Sequence, residues 1–498
     1  GSGISSKAPV VLNSDGTVSA ISSIAESIGS TSDPLGNEST YVDFGAMARD
    51  IIYDPTADRV IAAINARISG GADRVLVVAG EVGASSITWG TPVTLSGATY
   101  GNANLNCNLC YDEDNGFPLL FFRSQDASYT DYPAIVPLVV SGSSVSLGSP
   151  LIIQSAAATA TSGAIVYDTT NNKVVALYGI QGSGNNYQRS SVITVVSTSS
   201  LSVTGAAVQN GTNAISAMNT AMAFDPSSGL CVIASHDGVG THFSAQTIDV
   251  STGSAVFNTQ TTIYTDASGG AHVDVCYDSN KQACIATAYT TADWSNFQNV
   301  VVPCVTSGSG ASATVSAGTP AFTGTSASVN YYACCSFDST NNVTVIPFEY
   351  TSNNLYYVTC TLSGTSPSYT ATLTDPSLAA TYSAGSTIIP VCCYDPDQNK
   401  TVVIYGTNDQ VGASVAFAPA STNLTAQAFV GVADSAISAS AAGSVIVQGG
   451  TVTGLSSLTT GSKYFVQTDG TFGTSAGDPS VNAGIAISTT SLLLNGDS

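Results

Sequence analysis

An aromatic residue followed by aspartate recurs seven times along this chain, and each copy precedes about four loop residues and an apolar run. The copies are Tyr53-Asp54, Tyr111-Asp112, Tyr167-Asp168, Phe224-Asp225, Tyr277-Asp278, Phe337-Asp338 and Tyr394-Asp395. Successive aromatic residues are 58, 56, 57, 53, 60 and 57 positions apart. This period is too long for a leucine-rich or helical repeat, but it fits four short strands with their turns. The sequence therefore predicts an all-β fold, a seven-bladed β-propeller of four-stranded blades.

The third repeat shows the expected strands of one blade. A strand ends at Tyr167-Asp168, and after a turn at 169–172 its hairpin partner runs over 173–178. A third strand is expected at 191–196 and a fourth from Ser200 onward. In other repeats the fourth strand contains proline, as at Pro92, and proline belongs at a sheet edge. The blade therefore runs from the propeller axis outward.

The seven aromatic-aspartate pairs, here called the blade anchors, have a structural interpretation. An aromatic side chain at a strand end can fill the wedge between neighbouring sheets. The aspartate can accept hydrogen bonds from turn amides two or three residues later. One copy in every blade scatters these carboxylates around a ring, so we expect them to stabilise the fold and to take no part in ligand binding.

The repeat stops near Phe429, and short strands joined by glycine-rich turns predict a small C-terminal β-module. Near the N-terminus, the segment 10–18 is similar to the hairpin at 466–472, with an Asp-Gly turn in each. The two ends of the chain are therefore expected to meet. The predicted organisation is a segment and linker over 1–40, a propeller over 41–428 and a docking or oligomerisation module over 429–498.

The net charge is −22, and no stretch gathers Lys or Arg into a patch. Phosphate backbones and anionic bilayers would be repelled, so neither nucleic acid nor membrane insertion is expected. The N-terminal Gly1–Lys7 segment has no apolar signal core, and no window has the roughly 20 apolar residues of a spanning helix. We expect a soluble protein that is not exported by a visible signal.

Eleven cysteines are present, and several stand on the anchor strands where other repeats have small apolar residues. Such interchange is typical of buried free thiols. Cys107 and Cys110 form a lone CxxC without a second pair at zinc-ribbon spacing. The pattern indicates folding in a reducing cytoplasm, without a disulfide scaffold.

Residues of the C-terminal segment resemble the terminal VQxDGT-type β-module of tailed-bacteriophage virion proteins, in particular fibre-like and other surface proteins of marine and environmental phages. The resemblance rests on 429–433, on 463–471 and on 478–488 with the leucines at 492–494. The strand at 87–92 is also similar to the ITFGTP-type strands of phage propeller proteins. The resemblance implies a structural protein on the surface of the virion, assembled in the host cytoplasm, with other virion proteins as partners and no catalytic residues.

Catalytic and metal-binding patterns are weak. Sialidase propellers gather an arginine triad from several blades, whereas four of the six arginines here lie in the first repeat. His236, His242 and His272 are conceivable metal or acid-base groups, but loop histidines without a shared ligand fit the sequence better. The 112–116 segment imitates the start of a calcium loop, yet its glycine comes one place early. We expect no enzyme activity, no cofactor and no metal.

Polar loops with aromatic residues are the candidate binding surface, because adaptable amides and hydroxyls next to aromatic rings suit glycan or protein contacts. These candidate residues are Tyr187, His236, His242, Tyr289, Trp294 and Phe297. The expected function is attachment to virion partners and to a host-surface glycan or protein, as a homo-oligomer or in several copies. Two alternatives stay open: a propeller glycosidase or lyase acting on host polysaccharide, and a purely architectural capsid or tail component.

Overall fold

The computed structural model describes residues 3–13, 16–35, 47–68, 72–95, 107–125, 131–154, 159–181, 186–210, 220–236, 242–265, 272–293, 296–323, 332–349, 354–381, 390–406, 412–419, 421–424, 428–477 and 480–495. The chain forms two compact units. The first combines Gly1–Ser27 with Pro419–Ser498, and the second is Ile28–Ala418. The second unit is therefore an insertion in the first.

The insertion is a seven-bladed β-propeller, which confirms the predicted fold. Four short strands precede the first blade: β1 Pro9–Leu12, β2 Val18–Ala20, β3 Ser23–Ile24 and β4 Ser27–Ile28. The strands of blade 1 are β5 Met47–Asp54, β6 Arg59–Ile68, β7 Ala72–Val82, β8 Ile87–Trp89 and β9 Val93–Thr94. Those of blade 2 are β10 Cys107–Asp112, β11 Phe117–Gln125, β12 Asp131–Ser141, β13 Ser144–Leu147 and β14 Leu151–Ile152. Those of blade 3 are β15 Thr159–Asp168, β16 Lys173–Gln181, β17 Asn186–Ser197 and β18 Ser200–Gln209.

The remaining blades repeat this pattern. Blade 4 has β19 Thr220–Asp225, β20 Leu230–His236, β21 His242–Asp249, β22 Val256–Phe257 and β23 Thr261–Thr265. Blade 5 has β24 Val273–Asp278, β25 Ala283–Asp293, β26 Asn296–Ser307, β27 Thr314–Ala317 and β28 Ala321–Phe322, with a 3₁₀ turn at Gly310–Ser312. Blade 6 has β29 Ser336–Asp338, β30 Val343–Glu349, β31 Asn354–Ser363, β32 Thr370–Leu373 and β33 Ser377–Thr381. Blade 7 has β34 Val391–Asp395, β35 Lys400–Gly406 and β36 Gly412–Ala418.

Each blade is an antiparallel sheet whose anchor strand is innermost. The innermost strands contact one another in the order β5, β10, β15, β19, β24, β29 and β34, and β34 contacts β5. The ring is therefore closed. A separate buried apolar cluster fills each of the seven seams between blades, and the seam between blades 6 and 7 includes the stacked rings of Tyr357 and Phe417, 4.2 Å apart.

The seventh blade takes its outer strand from the other end of the chain. Strand β4 pairs with β36, and the backbone beyond it continues the contact, with Ser32 N donating to Ser414 O at 2.9 Å and Ser414 N donating to Ser32 O at 2.8 Å. This differs from the predicted segment and linker over 1–40, since residues 27–32 form a sheet edge. Strand preference depends strongly on context, and a serine-rich stretch also suits a flexible linker, which is why composition did not separate the two.

The proline of the outer strand marks a break in that strand. Pro92 stands between β8 and β9, and Pro150 and Pro320 stand between the matching pieces of blades 2 and 5. Two positions before each of these prolines is a glycine. A Cβ atom added to that glycine would overlap a main-chain oxygen of the following blade. The overlapping pairs are Gly90 with Ser143, Gly148 with Thr198 and Gly318 with Tyr369. The Gly-x-Pro pattern therefore marks a close backbone approach between neighbouring blades.

The unit formed by the two chain ends is a small β-module with three sheets. Its further strands are β37 Ser421–Thr422, β38 Phe429–Ala433, β39 Val445–Val447, β40 Thr451–Thr453, β41 Lys463–Val466, β42 Phe472–Gly473, β43 Val481–Ser488 and β44 Ser491–Leu494. One sheet has the order β2-β1-β38-β39, a second has the order β40-β44-β43-β41-β42, and the short strands β3 and β37 form the third. Val11, Val432, Val466 and Leu492 share one buried core. The module thus needs residues from both ends of the sequence.

The two similar hairpins in the module have the same backbone hydrogen bonds. Asn13 N donates to Thr17 O at 2.8 Å and Gly16 N to Asn13 O at 3.0 Å, while Gln467 N donates to Thr471 O at 2.9 Å and Gly470 N to Gln467 O at 3.0 Å. Gly16 and Gly470 both have positive φ, which favours glycine at this turn position. Among the described residues, no helix is long and apolar enough to cross a membrane.

Candidate functional site

The propeller axis contains a cavity of about 310 Å³ lined by the innermost strands. We call it the channel. The residue three positions before each anchor aromatic lies in its lining; these are Asp50, Asn108, Ala164, Ala221, Asp274, Cys334 and Val391. The repeat therefore delivers one side chain from every blade to the same cavity, and two of the seven are carboxylates.

Both carboxylates bridge neighbouring blades. Asp50 in blade 1 accepts from Leu109 N of blade 2 at 2.7 Å, and from Ile51 N at 2.8 Å. Asp274 in blade 5 accepts from Cys335 N of blade 6 at 2.8 Å, and from Val275 N at 2.8 Å. Each carboxylate thus ties the inner strand of its own blade to the next.

The channel raises the pKa of both acids. Burial is the main cause and lifts the pKa of Asp50 to about 7, with a smaller contribution from the charge of Asp274. Burial likewise lifts the pKa of Asp274 to about 6. The amide hydrogen bonds oppose these shifts because they favour the charged form. Both carboxyls therefore change protonation near neutral pH.

Arg49 and His272 complete the polar part of the channel. Burial, assisted by the positive charge of Arg49, lowers the pKa of His272 to about 4, so this imidazole is neutral at pH 7. His272 packs edge-to-face on Tyr332 with ring centroids 3.7 Å apart, and both residues have left-handed φ, 57° and 48°. Non-glycine residues rarely adopt that backbone conformation, and such strain clusters at functional positions.

The channel gathers polar side chains that the sequence analysis did not single out. The anchor carboxylates are scattered around the ring, whereas Arg49, Asp50, His272 and Asp274 line the same cavity. The anchors were recognised because they repeat in every blade, while these four residues do not repeat. Asp50 and Asp274 occupy the same position of the repeat, three residues before the anchor aromatic, and this shared position was the available clue.

The thiols are free and mostly buried. Nine of the eleven cysteines are buried, and Cys276 and Cys392 are half-buried. Cys334, Cys335 and Cys392 line the channel, and burial raises the pKa of each thiol well away from neutrality. Neutral thiols are poor nucleophiles. No cluster of three or more His, Cys, Asp or Glu side chains suited to a metal occurs in the described part of the chain.

The anchor aspartates cap the hairpin turns. All seven are 0–3 % exposed. Their Oδ1 atoms accept main-chain amides two or three residues later at 2.9–3.1 Å, as from Thr170 N and Asn171 N to Asp168. The calcium-like segment 112–116 is one of these turns, since buried Asp112 accepts from Asp114 N and Asn115 N.

Anchor tyrosines also form hydrogen bonds between neighbouring blades. Tyr111 in blade 2 hydrogen-bonds Thr56 in the turn of blade 1 at 2.6 Å. Tyr394 in blade 7 donates to Thr340 in the turn of blade 6 at 2.6 Å, and Tyr53 in blade 1 donates to Asp397 of blade 7 at 2.9 Å. The hydroxyl therefore reaches back to the preceding blade, a role that sequence analysis did not give it.

The six candidate binding residues are not brought together as one loop surface. His236 ends β20 and is buried at 1 % exposure, and Tyr289 lies buried within β25, 6.4 Å from the Tyr332 ring. These two were expected on exposed loops, and the longer blade hairpins explain the difference. His242 begins β21 and is exposed. Tyr187 and Phe297 lie on β17 and β26, and Trp294 lies outside the described residues.

Comparisons with known proteins give low similarity only. No protein-family model matches the chain. No curated protein matches it either. Among solved structures, a crystal structure of a protein from Lactobacillus plantarum has 10 % identity and a TM-score of 0.44, covering 71 % of this chain and 96 % of that one. The Dos1 propeller has 9 % identity and a TM-score of 0.39, covering 79 % of this chain and 95 % of its own. The class assigned here, a β-propeller inserted in a β-module, rests on the sheet order described above.

Proposed function

We propose that this chain is a structural protein on the surface of a tailed-phage particle, which binds by its module and presents its propeller. The observation that carries the proposal is the insertion of Ile28–Ala418 between the two halves of the module. Two chain connections, instead of one, hold the propeller. This topology suits a module that binds a partner and a propeller that is presented. The resemblance of 463–471 to phage virion modules supports a place on a phage particle.

Apolar side chains on the module support a docking role. Ile485 and Ile487 are two positions apart on β43, on the same face of the strand, and are 39 % and 51 % exposed. Exposed apolar groups that cluster on one face favour burial against a partner. The partner in the proposal is another virion protein or a further copy of this chain.

The test combines localisation with assembly. Antibody to the propeller should label intact virus particles by immunogold electron microscopy. Replacing both Ile485 and Ile487 by Asp should leave the thermal melt of the propeller unchanged while incorporation into particles is lost. Val196→Asp, at a side chain 65 % exposed on the propeller, is the matched control and should incorporate normally. Unlabelled particles, or normal incorporation of the double variant, would contradict the proposal.

A second candidate is a propeller glycosidase or lyase, and the channel is the observation that favours it. Two carboxyls with pKa values of about 7 and 6 lie beside Arg49 and His272, and paired acids are the groups that glycoside hydrolysis requires. Against it, both acids accept hydrogen bonds from the amides of neighbouring blades. Incubation with envelope polysaccharide should release no oligosaccharide; release that stops in Asp50→Asn or Asp274→Asn would establish the enzyme instead.

A further inference from the structure

A groove of about 520 Å³ opens between the outer parts of blades 3 and 4. It is lined by 208–210 of blade 3 and by Gln246 and 255–259 of blade 4, and we call it the amide groove. Its volume lies within the roughly 300–1,000 Å³ typical of small-ligand sites. None of the described residues that line it carries a charge.

Amide side chains form a fixed network across this seam. Asn210 Nδ2 donates to Gln188 Oε1 and to Gln246 Oε1, both at 2.8 Å. Gln246 Nε2 donates in return to Asn210 Oδ1 at 3.2 Å and to the main-chain oxygen of Asn258. Gln188, Asn210, Gln246 and Asn258 are 2–9 % exposed. The wall of the groove is therefore polar and held in one arrangement before any ligand binds, which lowers the entropic cost of binding.

Asn258 leaves one hydrogen-bonding atom unused. Its Nδ2 donates to Thr247 Oγ1 at 2.7 Å, but its Oδ1 has no partner among the described residues although the side chain is only 5 % exposed. A buried acceptor without a donor costs about 1–3 kcal/mol. A hydroxyl group entering the groove can supply the donor after a small movement of this side chain.

The lining of the groove combines apolar and polar side chains. Phe257 is half-buried in its lining, between Val256 and Asn258, and both Phe257 and Val208 of blade 3 pack against the buried apolar cluster of this seam. Gln209 and Thr259 are exposed at the rim. A planar amide offers one donor side and one acceptor side, which matches adjacent hydroxyls, and an aromatic ring matches the apolar face of a sugar ring.

We infer that the amide groove between blades 3 and 4 binds a neutral, hydroxyl-rich saccharide. The absence of charge in its lining disfavours carboxylated, phosphorylated or sulfated ligands, since a buried charge requires a countercharge. The inference rests on the proposed function in one respect: it makes the propeller the part of the particle that contacts a glycan.

The experiment uses the full chain on an array of neutral and acidic oligosaccharides, followed by calorimetric titration of the strongest neutral binder. Phe257→Ala and Asn258→Ala should each weaken that binding by about tenfold or more. The control is Phe322→Ala, an aromatic residue 38 % exposed on the outer strand of blade 5, which should change the Kd less than twofold.

Folding is checked separately, because Asn258 is buried. Gln209→Ala and Thr259→Ala alter only the exposed rim, so they should weaken binding at an unchanged melting temperature. The inference is overturned if no neutral saccharide binds, if only acidic glycans or peptides bind, or if the groove variants bind like the wild type. If the protein is incorporated into particles but binds no neutral saccharide, only the saccharide site is refuted. If it binds a neutral saccharide but is absent from particles, only the virion role is refuted.

Discussion

The propeller and the module are both all-β, yet they are assembled by different routes. Within blades 1–6, the first four strands of each sheet lie side by side in sequence order, and the short fifth strand of blades 1, 2, 4, 5 and 6 pairs with the third. Each seam repeats the same anchor and apolar filling. In the module, β1 pairs with β38, so residues such as Pro9 and Val432 lie side by side. The propeller is therefore built from local hairpins that repeat along the chain, and the module depends on a few strand pairings between distant parts of the sequence.

This difference teaches where each unit is vulnerable. A damaged seam in the propeller leaves six others with their own cores, whereas the module has two buried clusters and both chain ends contribute to each of them. We therefore expect changes in the module to act on the whole unit and changes in the propeller to be graded by seam.

The largest expected effect comes from removing residues 3–26. This deletion takes away β1 and β2, including the fully buried Val10, while Ile28 onward still closes blade 7. Residues 428–495 should become sensitive to protease while the propeller stays resistant. Limited proteolysis with mass spectrometry measures this directly. A protease-resistant module would show that the sheet formed by β40–β44 folds without the N-terminal strands. The proposed difference between the propeller and the module would then be wrong.

Asp168→Ala tests one anchor of the propeller. Asp168 is fully buried and accepts from Thr170 N, Asn171 N and Asn171 Nδ2, so the substitution leaves three donors without their acceptor. We expect a loss of about 3 kcal/mol in unfolding free energy. Tyr111→Phe removes only the hydroxyl bonded to Thr56 and should cost about 1 kcal/mol. Denaturant titration compares them; equal costs would mean that the turn cap is unimportant.

Gly318→Ala tests the backbone approach between blades 5 and 6. The added Cβ would overlap the main-chain oxygen of Tyr369, so the blades must separate, at about 2 kcal/mol. Gly142→Ala is the matched control, because nothing lies within 4 Å of its Cβ and only its positive φ opposes alanine, at about 1 kcal/mol. If the two variants melt at the same temperature, the seam is more compliant than the contact suggests.

The next test concerns pH. Asp50 and Asp274 have folded pKa values of about 7 and 6, above the ordinary value near 4, so between those limits the folded state binds more protons than the unfolded state. Their contribution to stability is fully present below about pH 4 and is lost as the pH rises to about 8. The double variant Asp50→Asn with Asp274→Asn should flatten this part of the melting-temperature profile.

Asp469 in the module should respond in the opposite direction. Hydrogen bonds from Thr471 lower the pKa of this exposed carboxyl, so its small contribution to stability is present above pH 4 and is lost at lower pH. Asp469→Asn should therefore change the acid side of the profile only. If both substitutions alter the same pH range, the assignment of the neutral-range titration to the channel is wrong.

The fold was predictable because its information is periodic. Seven anchors at near-constant spacing determine the number of blades, and the aspartates occupy the turns for which Asp is favoured. The position of β4 was not predictable, since Ser27–Ile28 forms a two-residue strand whose partner is β36, far along the chain. Composition indicates only the local conformational preference of a segment. The pairing of β4 with β36 depends on closure of the ring, which brings these distant segments together.

The candidate sites were predictable only in part. Aromatic and polar residues such as Tyr289 and His236 suggested loops, but the hairpins extend through them and bury both side chains. Asp50 and Asp274 differ from the other residues at their repeat position, and a comparison of the repeats column by column would have revealed them. The amide groove joins Asn210 to Gln246 across two blades, and no spacing rule connects those positions.

The origin of β4 also determines the order in which the protein can mature during synthesis. Residues 27–32 are made before any strand of the seven blades, but their partner strand β36 is among the last parts of the propeller to be made. A truncated chain that ends at residue 381, after β33, should therefore expose the backbone at Ile28 to protease even when six blades have formed, and a chain that extends through β36 should protect it. Synthesis of β36 is thus the step that allows the ring to close.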